Sequence, residues 1–173
     1  SGWFTAFPGG SHEFLTKSGA RDLDARTMFH YPYTAVTPAM AVQIVGIGSQ
    51  YGCIAVDADG NYLDGSRTYS VTLPAGIPAK DFWSFVNYDP QTRSILQTPT
   101  TTQPSVSSQS GEVQANDDGS VTVWFGPEPP PGKASNWVPT VPGKGWFTVL
   151  RLYGPLEPWF DKSWRPGEIV LVD

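Results

Sequence analysis

Arg151 is the side chain whose setting points most directly to chemistry. It stands in Gly145-Trp146-Phe147-Thr148-Val149-Leu150-Arg151-Leu152-Tyr153, where Phe147, Val149, Arg151 and Tyr153 alternate with Thr148, Leu150 and Leu152. In an extended strand that alternation places a guanidinium on an aromatic face. There it can pair with a carboxylate, stack on Trp or Tyr, or orient an anionic or hydroxylated ligand. Trp83, Tyr88, Trp124, Asn136, Trp137, Tyr153 and Trp164 add aromatic and amide surface. From this constellation Trp83, Tyr88, Asn136, Trp137, Arg151 and Tyr153 form the candidate ligand-binding set. Asn136-Trp137, at the end of a proline-rich stretch, has a structural alternative as a plug closing a sandwich.

Acid–base chemistry has few residues to draw on. The histidines are His12 and His30, and His30 lies among Phe29, Tyr31 and Tyr33. With Arg151 it is the candidate catalytic residue, since imidazole is the usual general base near neutral pH. A partly buried histidine with one hydrogen bond is the structural alternative. No histidine pair at helical spacing suggests zinc. Asp57, Asp59 and Asn61 alternate as calcium ligands do, but an EF-hand loop starting at Asp57 requires glycine at 62 and an acid at 68. The chain has Tyr62 and Thr68 there, so a solvated turn is expected, with no metal and no cofactor. No Gly-x-Ser-x-Gly elbow and no glycine-rich phosphate loop before a helix occurs. A carboxylate pair for glycoside hydrolysis cannot be chosen among acids that lie mostly in turns.

Composition narrows the class. The 173 residues include 18 Gly and 17 Pro, with 39% hydrophobic and 16% charged residues. That is too apolar for a disordered chain and too rich in proline for a helical bundle. Net charge is −5, and the basic residues are scattered singly. The chain therefore lacks the basic stripe that nucleic acids or anionic membranes require. The longest apolar stretch, residues 39–48, is interrupted by Gln43 and too short to span a bilayer. The lone Cys53 has no disulfide partner and reads as a small buried residue.

These residues need elements to position them. Residues 22–31 have apolar side chains near helical spacing with acids at the start, and Pro32 ends the pattern. Residues 37–45 predict a second helix with Thr37 as N-cap and Pro38 first, stopped by Gly46 and Gly48. Both helices carry apolar surface that must dock on something. From Tyr51 onward the pattern is β. Residues 53–56 and 68–73 predict a hairpin across Asp57-Ala58-Asp59-Gly60-Asn61. Residues 82–88 and 94–97 predict a second pair. Residues 98–110, mostly Thr, Ser, Gln and Pro, predict an exposed loop. Residues 112–115 and 120–125 predict a hairpin around Asn116-Asp117-Asp118-Gly119, with Val121 and Val123 opposed to Thr122 and Trp124. Residues 127–145 predict a loop, in which the Pro127–Pro131 tract is read as a stiffener, with a polyproline II ligand for a partner as the alternative. Strands at 146–153 and 169–172 complete a mainly β chain. The expected fold is a jelly-roll-like β-sandwich over 51–173, preceded by a short helical N-terminal segment over 1–50.

Seven phrases occur in an order that resembles a known family: Asp59-Gly60-Asn61-Tyr62-Leu63-Asp64-Gly65-Ser66, Asp81-Phe82-Trp83-Ser84, Asn87-Tyr88-Asp89, Asp118-Gly119-Ser120, Asn136-Trp137-Val138-Pro139, Arg151-Leu152-Tyr153-Gly154-Pro155 and Trp164. Together they resemble the DUF1214 domain, the C-terminal part of bacterial proteins that pair DUF1254 with DUF1214. The resemblance implies a jelly-roll sandwich behind a mainly helical segment, an upstream DUF1254-type domain, and a periplasmic or secreted location. It brings no activity. The opening Ser1-Gly2-Trp3-Phe4 is expected to be that of a processed or excised piece of a longer precursor. Three functions compete on these grounds. One is a binding and interaction module with a small-molecule pocket, packed on a DUF1254-type domain or another copy of the chain. A second is a carbohydrate-binding module stacking a glycan on surface aromatics. The third is a hydrolase whose site uses His30, Arg151 or a carboxylate.

Overall fold

The computed structural model of the chain describes residues 1–7, 12–31, 37–99 and 105–172. Tyr33 and part of the expected loop at 98–110 lie outside the described residues. Among the described residues, the strands form two four-stranded sheets packed as a β-sandwich. The first sheet has the order β1 (Ser49–Ile54), β7 (Phe147–Pro155), β3 (Ala79–Tyr88), β4 (Ser105–Ser107). The second has β6 (Trp137–Pro139), β5 (Val121–Gly126), β2 (Tyr69–Leu73), β8 (Val170–Leu171). All pairings are antiparallel except β5 with β6. Most connections switch sheets, as in a jelly roll; only β3 to β4 and β5 to β6 stay within one. The helices are short: α1 (Leu23–His30), α2 (Pro38–Ala41) and α3 (Glu157–Phe160). Among the described residues no helix is long and apolar enough to cross a membrane.

Period-two alternation builds the core. Leu150 and Leu152 of β7, Trp83 and Phe85 of β3 and Ile54 of β1 point inward against Val71, Leu73, Val123 and Phe125 of the second sheet. Phe85 meets Phe125 edge-on across the sandwich at 5.6 Å, and Phe125 lies 5.0 Å from Trp146. Each such side chain, fully buried, contributes roughly 1.5–3 kcal/mol relative to exposure. On β5, Val121, Val123 and Phe125 are buried while Thr122 and Trp124 are half-buried, the alternation expected from the sequence.

Several elements differ from expectation for identifiable reasons. Residues 53–56 and 68–73 do not form a hairpin, because β1 and β2 lie in different sheets. The turn between them is real but closes on the single bridge Val56–Tyr62, after which the chain crosses the sandwich. Residues 112–115 are not a strand. Asn136 holds them instead, accepting from the Gln114 N–H at 2.8 Å and donating to the Gln114 carbonyl at 2.8 Å. Residues 94–97 reach β3 through one bridge, Tyr88–Ile95. Within the polar stretch 98–110, β4 forms an edge strand because Val106 between two serines supplies one buried anchor. The second helix stops at Ala41, and Val42 is extended at φ −64° and ψ 129°. Thr37 makes no side-chain cap, and the β-branched Val42, Ile44 and Val45 favour extended backbone.

Side-chain hydrogen bonds close the ends of the sandwich. Asn136 donates a further bond to the Thr122 carbonyl at 2.9 Å, and the Trp137 indole donates to the Gly126 carbonyl at 3.0 Å. The Trp164 indole donates to the Pro74 carbonyl at 3.1 Å. At the Asp57 turn, one carboxylate oxygen accepts from the backbone amides of Asp59 and Asn61 at 3.0 and 2.8 Å. Burial works to raise the Asp57 carboxyl, but hydrogen bonds from Asn61, Asp59 and Gly60 outweigh it and hold it below the usual aspartate range.

Two outcomes follow for stability. Asn136→Ala orphans the Gln114 amide and two carbonyls at once, and is expected to lower unfolding free energy in urea by about 1–3 kcal/mol. Because the folded-state pKa of Asp57 is depressed, its stabilisation is complete above the unfolded aspartate value and is lost as pH falls through the folded one. Denaturation at a series of pH values should therefore show Asp57→Asn less stable than the parent near neutrality. The gap should narrow as pH drops below about 4.

Candidate functional site

The outward face of the first sheet carries the polar and aromatic residues. Registry aligns Tyr51 of β1, Arg151 of β7 and Ser84 of β3 in one row. The neighbouring row is Ser49, Tyr153 and Phe82, and on the other side lie Cys53, Val149 and Val86. Tyr153 stacks on Phe82 at 4.0 Å, and Tyr88 stacks on Phe147 at 5.3 Å. The Arg151 guanidinium lies 5.6 Å from the Tyr51 ring centroid and 5.4 Å from that of Tyr153. Tyr51 and Ser49 share a hydroxyl–hydroxyl bond of 2.7 Å. No carboxylate among the described residues pairs with Arg151; the ion pair of the sandwich is Lys144 with Asp89, at 3.3 Å.

The N-terminal segment roofs this face. Phe4 exchanges backbone hydrogen bonds with Cys53 at 2.9 and 2.8 Å, extending the sheet beyond β1 and carrying Ala6 and Phe7 over it. Asp22 caps α1, accepting from the Ala25 N–H at 2.9 Å. Phe29 of α1 then packs with Phe7 at 5.0 Å and with Phe14 at 5.2 Å. The end of α1 is tied to the loop after β3. The Tyr31 hydroxyl donates to the Pro90 carbonyl, Arg93 donates to the Tyr31 carbonyl, and the Arg93 guanidinium lies over the Tyr31 ring. Phe14 and Arg93 both take positive φ, at 51° and 63°. Such left-handed backbone costs roughly 1–2 kcal/mol per non-glycine residue and persists where surrounding contacts hold it. The segment after α2 is fastened by Gly46 N–H to the Pro155 carbonyl at 2.6 Å and by Gly154 N–H to the Gly48 carbonyl at 2.8 Å. Gly154 has φ 62°, and a Cβ there would stand 2.7 Å from the Asp81 carboxylate.

Between roof and sheet lies a cavity of about 650 Å³. Phe7, Phe29, Met40, Val42, Ile44 and Ile47 supply its apolar wall, and Tyr51, Tyr88, Val149 and Arg151 its floor. Among the described residues no acidic side chain lines it, and Arg151 is the one cation. Burial alone would ease the Arg151 proton off, but the surrounding tyrosines Tyr153, Tyr51 and Tyr88 hold it on more firmly than usual. Burial raises the Tyr88 hydroxyl above the ordinary tyrosine value, against a smaller opposing pull from Arg151. Burial also pushes the Cys53 thiol up to about 12, so it stays protonated and is a poor nucleophile. The floor thus offers a fixed positive charge, neutral hydroxyl donors and apolar surface.

The residues singled out in the sequence divide into two groups. Tyr88 and Arg151 meet on the cavity floor, and Tyr153 flanks Arg151. Trp83 is buried on the opposite, inward face of β3, 6.2 Å from Phe85. Asn136 and Trp137 are buried in the second sheet, where they hold backbone. His30 is exposed in the last turn of α1; its neighbour Phe29 lines the cavity. Asp57 turns its carboxylate to its own loop, and among the described residues no three His, Cys, Asp or Glu side chains gather to hold a metal. Tyr51 and the apolar wall were not anticipated. The alternation of Ser49, Tyr51 and Cys53 marks an outward face, but only registry shows that Tyr51 sits beside Arg151.

The comparisons with known proteins agree with this fold. Over 95% of its length the chain is similar to the VPA0106 protein from Vibrio parahaemolyticus, a solved structure, with a TM-score of 0.66 and 22% identity. It spans 40% of that protein's length. A putative uncharacterized protein from Burkholderia cenocepacia aligns over 74% of this chain and 32% of its own, with a TM-score of 0.44 and 21% identity. No curated protein matches the sequence. Residues 48–157, well over half of the chain, match the family described as protein of unknown function DUF1214. The chain, with its sandwich and its roofed outer face, belongs to the DUF1214 family.

Proposed function

We propose that this chain is the ligand-binding module of a longer bacterial protein, exported to the periplasm or beyond, which takes a small, largely apolar molecule between its first sheet and its N-terminal roof. The cavity carries the reading. Its volume falls within the range of about 300–1,000 Å³ typical of small-molecule sites, and its wall is apolar with few polar groups, as such sites are. The rim supports a covering partner: Val42, Ile44, Val45 and Ile47 are 46–66% exposed, a contiguous apolar run of the kind found at interaction surfaces. An upstream DUF1254-type segment is the proposed cover, since the Vibrio relative is much longer than this chain.

The two rival readings have less to stand on. A glycan platform needs exposed aromatic faces, yet five of the seven tryptophans are buried and Trp3 and Trp124 are half-buried. A hydrolase needs a nucleophile or base beside the cation. Here His30 is absent from the cavity lining and Cys53 is held as a thiol.

Titration with Nile red, an uncharged apolar dye, tests the module. The expected result is saturable one-to-one binding that the double variant Val42→Asp with Ile44→Glu weakens by about tenfold or more, because charges then enter the apolar wall. Both positions are about half exposed, so the fold should survive. Dye binding that the variant leaves unchanged would place the ligand elsewhere and end the proposal.

A further inference from the structure

The chemistry of the cavity floor narrows what can enter, and we infer that its ligand is an aliphatic monocarboxylate, with the carboxylate on Arg151 and the tail against Met40, Val42, Ile44 and Ile47. This rests on the small-molecule reading above and specifies its ligand class. Three observations converge. Arg151 faces a cavity with no acidic residue in its lining among the described residues, in a chain with 16 acids and 11 Lys and Arg. Its guanidinium is braced by the Tyr51 and Tyr153 rings. That bracing holds the planar fork in place and leaves N–H groups for an anion, which a carboxylate accepts two at a time. The Tyr51 and Tyr88 side chains line the same floor and supply hydroxyl donors beside the charge.

The single cation sets the charge of the head group. A dianionic phosphate or sulfate ester on one arginine would leave a charge uncompensated in apolar surroundings, which is expensive. A neutral alcohol would leave the guanidinium's own desolvation unanswered. One carboxylate balances one guanidinium. The wall sets the tail, because Met40, Val42, Ile44 and Ile47 give it flexible aliphatic surface.

Isothermal titration of the purified chain with decanoate, decanol and decyl phosphate, beside Nile red, tests the assignment. Decanoate is expected to bind about tenfold or more tighter than decanol, the range for a hydrogen bond to a charged group. It should also outbind decyl phosphate. Octanoate, decanoate and dodecanoate should tighten about threefold to fourfold per methylene. In Arg151→Gln the preference for decanoate over decanol should collapse towards one, with Arg151→Lys intermediate because the charge remains and the fork is lost. Equal affinity for decanoate and decanol in the parent chain, with Nile red still bound, overturns the carboxylate assignment and leaves the module intact. Tighter binding of decyl phosphate, or a decanoate preference indifferent to Arg151→Gln, also overturns it. Failure of every probe including Nile red removes both readings. The comparison within the parent chain decides even if the Arg151 variants do not fold.

Discussion

The structure depends on the registry of β7 between β1 and β3. A strand has two faces, and this one uses both: Leu150 and Leu152 face the core, while Arg151 and Tyr153 face outward. A slip of one residue would drive the guanidinium into a core of Phe85, Phe125 and Leu73 and expel two leucines into water. Burying an unpaired charge is among the most costly changes a domain can suffer, so pairing on both sides of β7 is strongly specified. The same constraint creates the candidate site, because correct burial of the leucines obliges Arg151 to stand beside Tyr51.

Arg151 is kept outward, but its outward side is not open water. The N-terminal segment covers it by aromatic contacts and a few backbone hydrogen bonds, and the wall it supplies is apolar on both its inner and outer surfaces. The cavity is therefore a product of two differently stabilised parts. The floor belongs to a sandwich with a continuous core. The roof is held by the Phe7, Phe14 and Phe29 cluster, the Tyr31–Arg93 contact and the tethers at Gly46 and Gly48. Such a roof opens at a smaller free-energy cost than the sheet beneath it, which suits the proposed admission of a ligand.

How much of this could be read from the sequence follows from range. Alternation is a local property, so the two faces of β5 and β7 and the outward position of Arg151 were legible. Pro38 at a helix start and the turn at Asp57 were legible for the same reason. Strand partners were not: the turn after Val56 looked like a hairpin, yet the next strand, β2, pairs in the other sheet, which no local pattern encodes. The helix after Thr37 was read too long because apolar run and helical spacing cannot be separated over so few residues, and Val42, Ile44 and Val45 are β-branched. In the candidate site Tyr88, Arg151 and Tyr153 were chosen for their chemistry and share a face. Trp83, Asn136 and Trp137 were chosen for the same chemistry, but their large apolar or multiply bonding side chains are satisfied inside the protein. Tyr51 was passed over because its importance is wholly a matter of which residue lies across from it.

Residues 2–3 and 167–168 meet in the folded structure. The Gly2 amide donates to the Glu168 carboxylate at 3.0 Å, and the Trp3 indole donates to the Gly167 carbonyl at 2.8 Å, contacts spanning 166 and 164 positions of sequence. Contacts of such separation are the slowest kind to form, since the chain between them must already be organised. In folding, Gly2 and Trp3 therefore settle only after the stretch around residues 167–168 is in place. The strand-like pairing of Phe4 with Cys53 that carries the roof thus starts from residues whose own anchors lie at the far side of the sequence.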